Sequence, residues 1–159
     1  MAENFLIIGP SWVGDLVMAQ TLFVSLKKLY PDCKIDVLSP AWCEALLARM
    51  SEVDNSLVSP FQHGEFLLQQ RYKFGRGLRD KAYTRAIVLP NSWKSALVPY
   101  FAKIPIRSGW VGEMRYHLLN DIRKLDKNAY PLMIERFMAL AKAKDSKLFI
   151  DPNLLLAQV

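Results

Sequence analysis

The sequence predicts an α/β fold, a Rossmann-like parallel sheet flanked by helices on both faces. Two features of the chain carry the prediction. Short, wholly apolar runs such as Phe5-Leu6-Ile7-Ile8 and Ala86-Ile87-Val88-Leu89 have the character of strands buried on both sides. Between such runs lie stretches with helical spacing, and this alternation requires right-handed crossovers that cover both faces of the sheet. The make-up agrees: 159 residues, 52% of them apolar, with 7 Gly and 9 Pro, describe one globular domain and exclude disordered or fibrous chains.

The first strand, Phe5 to Ile8, closes at Gly9-Pro10, and after Gly14 the apolar positions Leu16, Ala19, Leu22, Phe23, Leu26 and Leu29 define a helix that Tyr30-Pro31 stops. Lys34 to Leu38 supplies a second strand, and Ala41 to Met50 a short helix. Ser56 to Val58 reads as a third strand, followed by a helix over Glu65 to Ala82 that Gly75 and Gly77 bend or break. Arg85 to Leu89 is the fourth strand. Ser92 then caps a helix from Trp93 to about Ala102, with Pro99 inside it, and Ile104 to Gly109 forms a fifth strand. Residues 110–130 lose periodicity and read as a long connection, a length that usually carries function. A last clear helix begins at Pro131, and the tail holds a strand, Leu148-Phe149-Ile150, and an apolar ending, Leu154-Leu155-Leu156. The whole, residues 1–159, is read as a single domain. In such sheets the ligand cleft lies beyond the carboxyl ends of the strands.

Charge is unevenly placed. Residues 1–60 hold four basic and seven acidic groups, the remainder seventeen and eight, so the halves carry −3 and +9 of the net +6. An anionic partner or a plain solvated basic face both account for this. Cys33 and Cys43 form no CxxC pair and have no histidine beside them, so neither a zinc site nor a disulfide framework is indicated, and a reducing cytoplasm is the expected compartment. No metal or cofactor is expected. The acidic start and the absence of a long apolar run point away from a secretory signal and a membrane span.

The first loop, Gly9-Pro10-Ser11-Trp12-Val13-Gly14-Asp15, departs from both familiar phosphate loops. Ser11 replaces the middle glycine of G-x-G-x-x-G, and Asp15 and Leu16 occupy the Lys and Ser/Thr positions of G-x-x-x-x-G-K-[ST]. What remains is an acid at a helix amino end beside the cleft. Asp15 either stabilises that helix terminus or accepts a proton from a ligand. Trp12 is a platform for a ligand or folds onto the core. Pro90-Asn91-Ser92-Trp93-Lys94-Ser95 places a lysine at a helix start, where a bound anion accounts for it as readily as simple solvation does. Arg115 and Arg123, interleaved with Trp110 and Tyr116, have the chemistry to grip phosphates and sugars. His63 and His117 stand alone and read as structural. No catalytic triad order and no nucleic-acid recognition motif is present, so nucleic acid is not an expected partner.

Four segments, Gly9 to Asp15, Leu38 to Cys43, Leu89 to Leu97 and Gly109 to Tyr116, together resemble the ADP-heptose:lipopolysaccharide heptosyltransferases. The resemblance runs from about Phe5 to Ala143. It implies the amino-terminal half of a two-domain GT-B glycosyltransferase, the half that holds the acceptor, with the nucleotide-sugar domain not included. It further implies an inverting transfer of heptose from ADP-L-glycero-β-D-manno-heptose to the lipopolysaccharide inner core at the cytoplasmic face of the inner membrane, with peripheral membrane contact. Asp15 matches the general base. Ser11, Trp12, Asn91, Lys94, Arg115 and Arg123 are the candidate acceptor-binding residues, on cleft position and charge. The 159-residue chain alone is expected to be inactive, and a non-catalytic binding module for an anionic glycolipid or nucleotide is the alternative reading.

Overall fold

A computed structural model describes residues 2–61 and 66–142. Six parallel strands, β1 (Asn4–Ile8), β2 (Lys34–Ser39), β3 (Asn55–Val58), β4 (Arg85–Val88), β5 (Ile106–Trp110) and β6 (Asp121–Arg123), form one sheet in the order β3-β2-β1-β4-β5-β6. The order reverses between β1 and β4, and that reversal places the crevice of a doubly wound sheet beyond the ends of those strands. Ile8 at the end of β1 is in register with Leu38 on one side and Val88 on the other.

Successive side chains of a strand point to opposite faces, so the apolar runs build two cores. Phe5, Ile7, Ile35, Val37 and Ile87 pack with Leu16, Phe23 and Phe137 beneath α1 (Val13–Leu29) and α5 (Met133–Ala139). Leu6, Ile8, Leu38, Ala86 and Val88 pack with Leu78 and Leu97 beneath α3 (Leu68–Gly77) and α4 (Leu97–Phe101). On the second face α3 and α4 meet backbone to backbone. A Cβ at Gly75 would lie 2.8 Å from both the Val98 carbonyl oxygen and the Phe101 Cβ, so only glycine permits the crossing.

Several elements are shorter than expected. The segment read as one helix over Glu65 to Ala82 is α3 followed by a single 3-10 turn, Arg79–Lys81, bounded by the left-handed residues Leu67 and Ala82. Ala41 to Met50 divides into a 3-10 turn, Ala41–Cys43, and the one-turn α2 (Glu44–Leu47). The helix expected from Trp93 is a 3-10 turn, Lys94–Ala96, running into α4. Ser92 does not cap it with its side chain, and Pro99 sits in the first turn of α4, where a missing N–H loses no intrahelical bond. His63 and the tail segments Leu148-Phe149-Ile150 and Leu154-Leu155-Leu156 lie outside the described residues.

The largest correction is β6, inside the stretch read as a connection. Asp121-Ile122-Arg123 looks like loop because charges flank one apolar residue, yet those charges satisfy each other. Asp121 accepts from Arg123 Nη2 at 2.9 Å and from the Ser108 hydroxyl at 2.6 Å, with Arg85 Nη2 at 3.8 Å. Burial by itself raises the Asp121 pKa, but the Arg123 and Ser108 hydrogen bonds and the two guanidinium charges outweigh it and hold the carboxyl below its usual range. The folded-state value is therefore lower than the unfolded one, so the stabilisation is complete above the ordinary Asp range and is lost as pH falls through the lower folded value. Asp121→Asn should cost about 2 kcal/mol at neutral pH, with the deficit shrinking toward pH 3, as urea titrations across that range would measure.

Candidate functional site

At the carboxyl edge of the sheet the loops after β1, β2, β3, β4 and β5 surround a cleft of about 580 Å³, a size suited to a small ligand. Gly9, Ser11, Trp12 and Asp15 line it from the first loop; Ser39, Pro40 and Trp42 from the second; Asn91, Ser92 and Lys94 from the fourth. The sheet's hydrogen-bond ladder continues into these loops, with Gly9 N–H donating to the Leu38 carbonyl at 2.8 Å and Leu89 N–H to the Ile8 carbonyl at 3.1 Å. The cleft walls thus inherit the rigidity of the sheet.

Asp15 is the third residue of α1, whose N-cap is Trp12 without a side-chain cap bond. Asp15 is half-buried and lines the cleft, and no hydrogen bond or ion pair reaches its carboxylate among the described residues. A Cβ built at the adjacent Gly14 meets nothing within 4 Å, so the start of α1 is open at that position. Both oxygens are available to an incoming hydroxyl, which a carboxylate consumed by helix capping would not offer. Trp12 stands 69% exposed at the mouth.

Of the expected acceptor-binding residues, Ser11, Trp12, Asn91 and Lys94 come together with Asp15 around the cleft. Arg115 and Arg123 do not. Arg115 is 1% exposed, and its guanidinium donates to the Pro90 carbonyl at 2.7 Å and the Trp110 carbonyl at 2.7 Å. Burial pushes its pKa down to about 10, partly opposed by the Glu113 charge, so it remains a cation at neutral pH. Arg123, 8% exposed, donates to the carbonyls of Ala139 and Lys142 and pairs with Asp121. Both guanidiniums are buried on backbone carbonyls, Arg123 on Asp121 as well, and neither lines the cleft, which is the physical reason to withdraw them as ligand contacts. Exposed His117 also lies outside the cleft lining.

Of the two accounts of the Lys94 helix start, a bound anion or a solvated lysine, the structure shows an acid of the chain itself at the adjoining backbone. Glu113 accepts from Trp93 N–H at 2.8 Å, and its backbone N–H donates to the Asn91 carbonyl at 3.1 Å. Gly112 makes this possible, because any Cβ there would collide with the Asn91 carbonyl. Arg71 and Arg136 are cleft cations that sequence reasoning missed. Arg71 sits above the Phe61 ring, 4.3 Å from its centroid, and its Nε donates to the Phe66 carbonyl at 2.6 Å. With Lys94 these two give the lining three cations against the acids Asp15 and Glu113, a field that favours an anionic or strongly hydroxylated ligand. The available signal was only that α3 is rich in basic residues, and nothing in their spacing shows which one turns toward the cleft. Among the described residues no group of three or more His, Cys, Asp or Glu is placed to hold a metal ion, and no helix is long and apolar enough to cross a membrane.

The cleft of this Rossmann-like sheet presents an unengaged carboxylate where a dinucleotide-binding fold keeps a glycine-rich phosphate loop, and comparison with known proteins places the chain among glycosyltransferases. Residues 71–153, just over half of the chain, match glycosyltransferase family 9 (heptosyltransferase), and the chain belongs to that family. It is 58% identical over 141 residues to lipopolysaccharide heptosyltransferase 2 of Escherichia coli, covering 89% of this chain and 40% of that protein. To lipooligosaccharide heptosyltransferase 2 of Haemophilus influenzae it is 56% identical over 142 residues, with the same coverage. The solved structure of E. coli ADP-heptose lps heptosyltransferase II superposes with a TM-score of 0.83 at 55% identity, covering 89% of this chain and 41% of that one. E. coli heptosyltransferase WaaC with ADP superposes at 0.70 with 18% identity over 87% of this chain and 45% of that one, a likeness of fold. The chain spans about 40% of the length of the curated relatives it matches.

Proposed function

We propose that this chain is the acceptor-holding portion of an inverting heptosyltransferase, with Asp15 as general base. The observation that carries the reading is the unengaged Asp15 carboxylate in the cleft of a family 9 chain. In the reaction proposed, a hydroxyl of the inner-core heptose, its 3-hydroxyl by resemblance to the family, gives its proton to Asp15 as its oxygen bonds to the anomeric carbon of ADP-heptose. The bond from that carbon to the diphosphate breaks, and ADP leaves with the electron pair. Attack on the side opposite the leaving group inverts the centre. Donors or dipoles for the departing ADP charge belong to the nucleotide-sugar portion of such an enzyme. Ser11, Trp12, Asn91 and Lys94 hold the acceptor, with Arg71 and Arg136 adding positive charge toward its acidic groups. The acceptor is lipid-anchored, so the working place is the cytoplasmic face of the inner membrane, reached by peripheral contact. Identities of 55–58% to heptosyltransferases named 2 or II support this choice of substrate.

Calorimetry of the chain with inner-core oligosaccharide and, separately, with ADP tests the reading. Binding of the saccharide with little or no binding of ADP is expected. Binding of ADP alone would replace it with a nucleotide-binding module.

A further inference from the structure

Trp42 enters neither the base chemistry nor the acceptor contacts assigned above, yet its placement is unusual. It occupies the 3-10 turn Ala41–Cys43 directly after β2, lines the cleft and is 59% exposed. The turn is pinned on both sides: Cys43 is fully buried in the core, and its N–H donates to the Pro40 carbonyl at 3.0 Å. The indole N–H donates to the Ser11 carbonyl at 3.0 Å, which fixes the ring against the loop that leads to Asp15. Among the described residues no other ring stacks on it. A large apolar ring is thus held in one orientation, its polar atom satisfied, and its remaining surface left to the cleft.

We infer that the Trp42 ring is a second saccharide subsite, stacking the sugar that follows the one deprotonated by Asp15. A pyranose is amphipathic in the sense that suits such a ring: its axial C–H groups form an apolar face, while its hydroxyls stay at the rim in water. β2 adjoins β1, and the indole bonds the Ser11 carbonyl, so the platform lies beside the loop that leads to Asp15. A cleft of about 580 Å³ has room for more than one such ring. The inference rests on the proposed acceptor role and adds that the cleft reads at least two consecutive sugars.

The test uses the chain labelled with ¹⁵N and titrated by NMR, which reads weak binding, with a methyl heptoside and with an oligosaccharide in which that heptose is linked to the next inner-core sugar. The wild-type chain should bind the oligosaccharide about tenfold more tightly than the monosaccharide. Trp42→Ala should erase most of that advantage, weakening the oligosaccharide far more than the monosaccharide, while Trp42→Phe should keep most of it. The ring is exposed, so a spectrum unaltered away from residue 42 and the Ser11 loop it bonds checks that the fold is kept. An advantage that survives in Trp42→Ala, or an equal loss for both ligands, overturns the subsite and leaves the acceptor reading standing. Failure of the wild-type chain to bind either ligand removes the acceptor reading, and the subsite with it.

Discussion

Asp15→Asn lowers turnover by about 10²–10⁴-fold when this chain is joined to the remainder of a family 9 enzyme, while KM for the acceptor changes little. The substitution preserves size and hydrogen-bonding capacity at the third residue of α1 but removes the basicity. An alcohol attacking an anomeric carbon becomes strongly acidic as its new bond forms. Without a nearby carboxylate that proton must go to water, in a cleft whose other acid, Glu113, is engaged by the Trp93 N–H. Because no side chain bonds to Asp15 among the described residues, the substitution also breaks no structural contact. A fall in kcat at unchanged thermal stability is therefore the signature of the base role. Full turnover in the Asn variant would return Asp15 to helix-terminus stabilisation.

The second large effect concerns an arginine that never meets ligand. Arg115→Ala should destabilise the chain by about 3–5 kcal/mol in urea denaturation, because it strands the carbonyls of Pro90 and Trp110 beneath the cleft and opens a cavity where one of the largest fully buried side chains had been. Arg115→Lys should recover little. A single ammonium cannot span two carbonyls that the planar guanidinium reaches with separate nitrogens, Nη1 toward Pro90 and Nη2 toward Trp110. A loss of less than about 1 kcal/mol in the alanine variant would mean that water replaces the guanidinium at those carbonyls. Binding of saccharide should weaken in proportion to the displacement of the Asn91 and Lys94 loop, which Arg115 holds through Pro90.

Legibility in the sequence followed burial. β1 and β4 are apolar runs and β2 is nearly one, and their ends could be read because Gly9-Pro10, Pro90-Asn91 and Pro40 close them. The residues that begin the cleft loops, Ser11, Trp12, Asp15, Asn91 and Lys94, were therefore locatable from topology alone. β6 was not, since Asp121 and Arg123 are inward-facing partners and a buried ion pair looks in sequence like a solvated one. The same blindness exchanged the arginines. Arg115 and Arg123 stand among aromatics in the manner of ligand contacts but spend their donors on backbone carbonyls. Arg71, in the middle of a polar helix, and Arg136, in α5, are the ones that reach the cleft. Which carbonyls will lack partners is decided by how loops cross, and that has no periodic trace.

The glycine at 75 has a consequence well away from its own position. Because the two helices it joins are pressed together without intervening side chains, they move as one plate, and the cations that they and the adjoining turn contribute, Arg71 and Lys94, keep a fixed spacing, with Arg71 Nη1 3.4 Å from the Lys94 carbonyl oxygen. The Arg71 side chain is ordered by the Phe66 and Lys94 carbonyls when the polypeptide folds, not when a guest arrives. An anionic guest would therefore meet electrostatics already assembled, and a bulkier residue at that crossing would blunt affinity from beneath, without touching a single contact.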